Sequence, residues 1–289
     1  MSVSDSSTNT ELIRQAFAHT AQIAGHYENF TVVSLLLPAA LKPHFYNVYA
    51  FCRHADDLAD EIGDPQESLR RLGELKIDVG RMYGATPENL ILVALQQTVR
   101  RFAIPAEEFV KLIDAFEQDQ RITRYQTYGQ LVDYCRRSAN PVGHLVLYLC
   151  GYGDAERQQL SDHTCTALQL ANFWQDVASD LTRGRIYIPA EDMARFGVPE
   201  QDIVDHRFGP GYARLMQFEV DRAEELFVKG EGLLPLLRRR VRTDVALYGR
   251  GGRAILEAIR REGYDTLNHR PTISKWRKFS LLLRYLTGI

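Results

Sequence analysis

The chain has 289 residues, 45% of them hydrophobic and 25% charged, and 35 Lys and Arg against 37 Asp and Glu leave a formal net charge of −2. Such a composition suits a soluble globular protein with enough apolar mass to bury a large core or line a large apolar cavity. The charge balance argues against the basic surface that nucleic acid requires, so no nucleic-acid partner is expected.

The first ten residues, MSVSDSSTNT, are polar, carry an acid and lack the basic start and apolar stretch of a secretory signal; they read as disordered. Helical periodicity then recurs along almost the whole chain. The predicted helices are Glu11–Ala24, Pro43–Ile62, Glu67–Tyr83, Pro87–Phe102, Glu107–Gln120, Gln130–Ser138 and Val142–Gly151. A long, strongly patterned helix follows over Ser161–Leu181, with Ser161 as its N-cap. Tyr212–Leu237 and Ala254–Glu262 complete the set, and Ser274–Leu286 is a basic amphipathic end. That end reads either as the last core helix or as a segment lying on an anionic membrane. No run alternates over strand length, so the fold class is all-α, in one domain over 1–289.

The longest apolar stretches, near Val32–Leu41 and Leu145–Cys150, fall well short of the about 20 residues a membrane-spanning helix needs. A cytoplasmic location follows, with membrane contact at most peripheral. Cys52, Cys135, Cys150 and Cys165 form no C-x-x-C pair and read as free thiols, and the eight histidines show no zinc spacing.

Two acid-rich helices carry chemistry. In Arg53-His-Ala-Asp56-Asp57-Leu-Ala-Asp60-Glu61, residues four apart share a helix face. Asp56 and Asp60 therefore point together, Asp57 and Glu61 form a neighbouring pair, and Arg53 sits on the same side as Asp56. Like charges at this spacing call for a compensating cation or a solvated face. The second cluster runs Gln169-Leu-Ala-Asn172-Phe-Trp-Gln175-Asp176-Val-Ala-Ser-Asp180, a polar stripe at four-residue steps on an otherwise apolar helix. Both stripes offer only oxygen ligands, which suits Mg²⁺, or Mn²⁺ in its place. Two such helices facing each other would hold divalent cations that a diphosphate bridges. Ionisation of that diphosphate is Lewis-acid chemistry with no protein nucleophile.

These motifs resemble the squalene/phytoene synthase family, the trans-head-to-head prenyl transferases. R-x-x-D-D-x-x-D is matched at Arg53, Asp56, Asp57 and Asp60; Q-x-x-N-x-x-x-D-x-x-x-D at Gln169, Asn172, Asp176 and Asp180; G-R-x-Y-x-P at Gly184, Arg185, Tyr187 and Pro189. Tyr134-Cys135, Val142-Gly143 and Gly263-Tyr264-Asp265 with Arg270 fit further segments. The likeness covers roughly 25–283.

The resemblance implies an isoprenoid synthase fold, with helices around a central apolar cavity. It implies Asp56, Asp57, Asp60, Asn172, Asp176 and Asp180 as metal ligands. Substrate and diphosphate contacts would come from His26, Asn29, Tyr49, Arg53, Gln169, Asn172 and Arg185. Catalytic roles would fall to Asp56, Asp60, Asp176, Asp180 and Tyr134, the last stabilising a cation or shuttling a proton. A core tyrosine with a satisfied hydroxyl is the alternative for Tyr134.

Four departures point within the family: His26-Tyr-Glu-Asn-Phe30, Ser138-Ala-Asn-Pro-Val-Gly143, Gln175 where many relatives carry Arg, and Gly252 where they carry Tyr. Together they resemble the hydroxysqualene synthases of bacterial hopanoid biosynthesis. That likeness implies presqualene diphosphate as substrate, water as the capturing nucleophile, no NADPH, and neighbouring hopanoid-pathway enzymes as partners. A neutral Gln175 and an absent side chain at Gly252 would leave room for an ordered water, with Gln175 orienting it. Condensation of two prenyl diphosphates to squalene or a carotenoid precursor is the alternative. A catalytically dead helical assembly factor is a third reading, disfavoured because Asp56, Asp60, Asp176 and Asp180 are all present.

Overall fold

The structure, a computed structural model, describes residues 3–25 and 38–272. His26, Asn29 and the 274–286 segment lie outside them. The described chain is helical. It has no strand among these residues, only an isolated parallel bridge between Arg124 and Ile186. It divides into two compact units: one comprises Met1–Arg121 and His144–Gly153, the other Ile122–Gly143 and Asp154–Ile289.

The first unit contains α1 (Val3–Gly25), α2 (Lys42–Asp60), α3 (Pro65–Met82), α4 (Leu90–Phe102) and α5 (Ala106–Asp119). α1 starts at Val3, so Val3–Thr10 is helix where disorder was expected. Its Ser, Thr and Asp residues are modest helix formers, but no Gly or Pro among them stops the amphipathic turns that follow. Pro43 lies in the first turn of α2, where a missing N–H costs least. Asp64 and Asn89 cap α3 and α4 with side-chain oxygens accepting from Gln66 N and Ile91 N.

α2 packs against α1, α3, α4 and α5. Its buried face (Phe45, Val48, Phe51, Ala55, Ala59) joins Leu72, Leu95, Phe109 and Ile113 in one apolar core. A buried polar network locks α2 in place. Thr20 Oγ1 donates to Asn47 Oδ1 (2.6 Å), while Asn47 Nδ2 donates to Ala94 O (3.0 Å) and Thr98 Oγ1 (2.9 Å). An apolar residue at 47 would strand those partners, at about 1–3 kcal/mol. The opposite face of α2, which carries the acids, stays open to solvent.

α6 (Tyr128–Ser138) belongs to the second unit, and the chain passes between units within α7 (Asn140–Leu149). The second unit continues with α8 (Ala155–Gln175), α9 (Val177–Thr182), α10 (Ala190–Arg195), α11 (Glu200–Val204), α12 (Pro210–Gly230), a 3₁₀ turn (Glu231–Leu236) and α13 (Arg239–Arg261). α8 is its spine, packed by α6, α12 and α13.

Two glycines set how closely helices approach α8. A Cβ at Gly143 would intrude on Ser161 Oγ and Cys165 Sγ, and one at Gly230 on Thr164. The cap of α8 is Asp154, accepting from Arg157 N, not Ser161, which is buried inside the helix against Gly143. α13 starts fifteen residues before the expected Ala254, because Gly249, Gly251 and Gly252 lie within a helix instead of breaking it. α10 and α11, one turn or so each, carry too few residues to show a period.

Candidate active site

The acids of the first unit lie on the last two turns of α2. Arg53 reaches all the near ones: Nη1 stands 3.0 Å from Asp56 Oδ2, and Nη2 2.5 Å from Asp57 Oδ1 and 3.0 Å from Glu61 Oε1. The compensating cation that the like-charge spacing demands is therefore supplied from within the helix. Asp56 and Asp57 are half-buried and Asp60 is exposed. Tyr49 is half-buried one turn before Arg53. Behind the acids the environment turns apolar: burial pushes His54 down and, with Asp56 nearby, pushes the Cys52 thiol up to about 12, so this thiol is no nucleophile.

The second stripe sits where α8 gives way to α9. The backbone kinks at Asp176 (φ −105°, ψ 15°), yet Asp176 N donates to Asn172 O (2.9 Å) and Asp180 N to Asp176 O (2.8 Å). The four-residue register of Asn172, Asp176 and Asp180 thus survives the kink. Beyond it, Gly184 takes the left-handed conformation (φ 71°) that turns the chain back, and the amides of Arg183 and Arg185 donate to Asp180 O (both 3.0 Å). This local geometry explains the Gly-Arg pair of the motif: glycine makes the turn, and the turn returns Arg185 to Asp180.

Asp176 has a partner that sequence spacing does not reveal. Arg270 forks onto it, Nε to Oδ1 at 2.5 Å and Nη2 to Oδ2 at 3.2 Å. That hydrogen bonding holds the Arg270 guanidinium above its usual range. The segment that brings Arg270 there follows α13 through Gly263 and Tyr264, both left-handed. It is pinned by Tyr212 Oη to Thr266 Oγ1 (2.7 Å) and by His206 Nδ1 to Leu267 O (2.6 Å). The motif Gly263-Tyr264-Asp265 with Arg270 marked this segment in the sequence, but not its role.

Tyr134 is buried in an aromatic group. Its ring centroid lies 5.7 Å from Tyr125, 6.1 Å from Phe173 and 6.0 Å from Tyr187, and Phe173 stacks on Tyr187 at 3.8 Å. Phe173 follows Asn172 directly, so this electron-rich cluster adjoins the polar stripe on α8.

The two departures expected to leave room for water are both filled by protein. Gln175 is buried, and its Nε2 donates to Pro271 O at 2.5 Å, which commits one N–H of its amide to the backbone. A Cβ at Gly252 would intrude on Phe227 Cζ and on Leu168 Cδ2 (2.8 Å). The missing side chain lets a phenylalanine ring close in and leaves no void.

The donor chemistry of each stripe fits a hard divalent cation. Among the described residues, no three Asp, Glu, His or Cys side chains of either unit are drawn into a metal cage. Mg²⁺ asks for only one or two carboxylates, with water and phosphate completing its shell. A guanidinium already stands on the carboxylates of each stripe, marking both as cation-seeking.

Comparison with known proteins agrees with the fold and the motifs. The family model described as squalene/phytoene synthase matches residues 23–277, and the chain belongs to that family. It is 46% identical to squalene synthase HpnC from Alicyclobacillus acidocaldarius, with a TM-score of 0.84 over 87% of this chain and 95% of that one. It is also 29% identical to a 15-cis-phytoene synthase of Synechococcus elongatus, over 93% of this chain and 92% of the relative. A presqualene diphosphate synthase of Rhodopseudomonas palustris is 28% identical, over 89% and 92%.

Proposed function

We propose that this protein is a hydroxysqualene synthase, converting presqualene diphosphate and water to hydroxysqualene and diphosphate. The observation that carries the reading is the pair of oxygen-bearing helical stripes, each closed by a guanidinium, in a chain 46% identical to squalene synthase HpnC. The proposed Mg²⁺ ligands are Asp56, Asp57, Asp60, Asn172, Asp176 and Asp180, with Mn²⁺ as a substitute. Bound Mg²⁺ supplies Lewis-acid stabilisation of the departing diphosphate. Arg53, Arg185 and Arg270 are the proposed guanidiniums for its oxygens, whose planar forks match phosphate. Tyr49 and Gln169, with His26 and Asn29 outside the described residues, are proposed substrate contacts.

The substrate's C–O bond breaks with its electron pair going to diphosphate. The aromatic faces of Tyr134 and its neighbours favour the cation that remains. A water oxygen then bonds to that cation and releases a proton, so NADPH has no step. The whole chain is proposed to act as one catalytic domain among hopanoid-pathway enzymes, at most peripheral to the membrane. Among the described residues no helix is long and apolar enough to cross one.

The likeness to a 15-cis-phytoene synthase favours a second reading, condensation of two prenyl diphosphates. Incubation with Mg²⁺ in ¹⁸O-water separates the two. Presqualene diphosphate should give an ¹⁸O-labelled tertiary alcohol, undiverted by NADPH, and farnesyl diphosphate alone should persist. Consumption of farnesyl diphosphate, or mainly squalene with NADPH, establishes a condensing enzyme instead.

A further inference from the structure

The contact between Gln175 and Pro271 lies beside the contact between Asp176 and Arg270. Two consecutive residues at the end of α8 thus hold two consecutive residues of the C-terminal segment, in opposite order. Gln175 Nε2 donates to Pro271 O at 2.5 Å, and Arg270 Nε donates to Asp176 Oδ1 at 2.5 Å. The two rungs differ in setting. Gln175 and Pro271 are both buried, whereas the Arg270 side chain is 56% exposed.

An exposed arginine gains little from a lone ion pair and loses side-chain entropy in forming it. A buried amide-to-carbonyl bond is directional and expensive to leave unmade. The buried rung therefore fixes the backbone from which the exposed guanidinium extends. The pins at Thr266 and Leu267 lie four and three residues upstream of Arg270, and the Gln175 bond anchors the segment one residue beyond it.

We infer that Gln175 is a positioning residue: through Pro271 it sets the Arg270 guanidinium on Asp176, and so keeps the second acid stripe paired and oriented. The inference rests on the proposed role of that stripe in Mg²⁺-diphosphate binding. It gives Gln175 a part in the reaction without contact with substrate or water. The amide's hydrogens are what matter, so near-isosteric side chains without them, Gln175→Glu and Gln175→Met, should lose the function. Gln175→His, which keeps an N–H at similar reach, should recover part of it.

The first test is made on the metal-free protein. In wild type the side-chain Nε–H of Arg270, assigned by its loss in Arg270→Lys, should give a resolved, slowly exchanging ¹⁵N signal. In Gln175→Met it should collapse to the position of solvated arginines. The second test is calorimetry with inorganic diphosphate and Mg²⁺. Gln175→Met and Arg270→Ala should each weaken binding about tenfold, and the double variant should be no weaker than Arg270→Ala. Gln175→His should lie between wild type and Gln175→Met. An unchanged Arg270 signal in Gln175→Met, or additive losses in the double variant, overturns the inference. Absence of diphosphate binding by wild type overturns the proposed function instead, and the metal-free test still decides the role of Gln175. Should Gln175→Met not fold, Gln175→Glu carries both measurements.

Discussion

The two acid stripes solve the same electrostatic problem by different means. On α2, Arg53 comes from the same helix, three residues before Asp56 and four before Asp57, and reaches Glu61 as well. On α8 the partner of Asp176 is Arg270, 94 residues further along the chain. The first pairing forms whenever the helix forms. The second forms only when the C-terminal segment has been brought back and pinned. Local neutralisation protects the helix from its own acids, while distant neutralisation ties one acid to the completeness of the fold.

The largest effects should come from the acids. Asp56→Ala and Asp176→Ala should each lower kcat by about a hundredfold or more, with the helical circular dichroism unchanged. Activity should require Mg²⁺ or Mn²⁺ and vanish with EDTA. Full turnover in either variant removes that stripe from the chemistry and ends the symmetry between the two.

The arginines should then separate. Arg53→Ala leaves Asp56, Asp57 and Glu61 without their shared cation, so beside weaker diphosphate binding the helix loses about 0.5–1 kcal/mol of stability to the renewed like-charge contacts, relieved by salt. Arg270→Ala removes a largely exposed side chain, and its Tm should move by a degree or so, while Mg²⁺-diphosphate affinity falls about tenfold. Equal stability losses in a urea titration would mean that the two pairings are the same device.

A third contrast lies inside one motif. Gly249, Gly251 and Gly252 all sit in α13, but a Cβ at Gly249 or Gly251 meets nothing within 4 Å, whereas one at Gly252 runs into Phe227 and Leu168. Gly249→Ala should raise stability by up to about 1 kcal/mol, because alanine is the better helix former. Gly252→Tyr should lower it by about 1–3 kcal/mol through overpacking, and Phe227→Ala should relieve that cost in the double variant. Thermal melts of the four proteins check the order.

How far the sequence could be read follows the same local-to-distant divide. Periodicity located most helices, and four-residue spacing located both stripes, because those signals live within one helix. The extent of α13 was hidden by its glycines, which read as breakers until Phe227 is seen to need the space. The kink at Asp176 was invisible because the hydrogen-bond register continues across it. The roles of Gln175 and Arg270 were hidden by their distance in sequence. Read from spacing alone, Gln175 belongs beside Asp176 at the site's edge; the fold turns its amide onto Pro271 instead.

The last contrast concerns an arginine with too many acids. Arg222, packed over the rings of Tyr128 (3.9 Å) and Phe218 (4.3 Å), meets Asp192 at 2.9 Å and Glu219 at 3.3 Å, and both acids are buried. One guanidinium cannot neutralise two carboxylates out of water. Burial pushes Glu219 up to about 8, Arg222 opposing it and Asp192 adding to it. Between its ordinary range near 4.5 and about 8, folded Glu219 keeps a proton that the unfolded chain has released. Stability therefore falls as pH rises through that window. Glu219→Gln is neutral in both states and should remove this part of the slope. Its Tm should match wild type near pH 5 and exceed it by a few degrees near pH 8. A Gln variant whose Tm–pH curve runs parallel to wild type would place the proton elsewhere. In that case Arg222 holds two ionised acids, the opposite of the one-to-one pairing of Arg270 with Asp176 and closer to the sharing seen at Arg53.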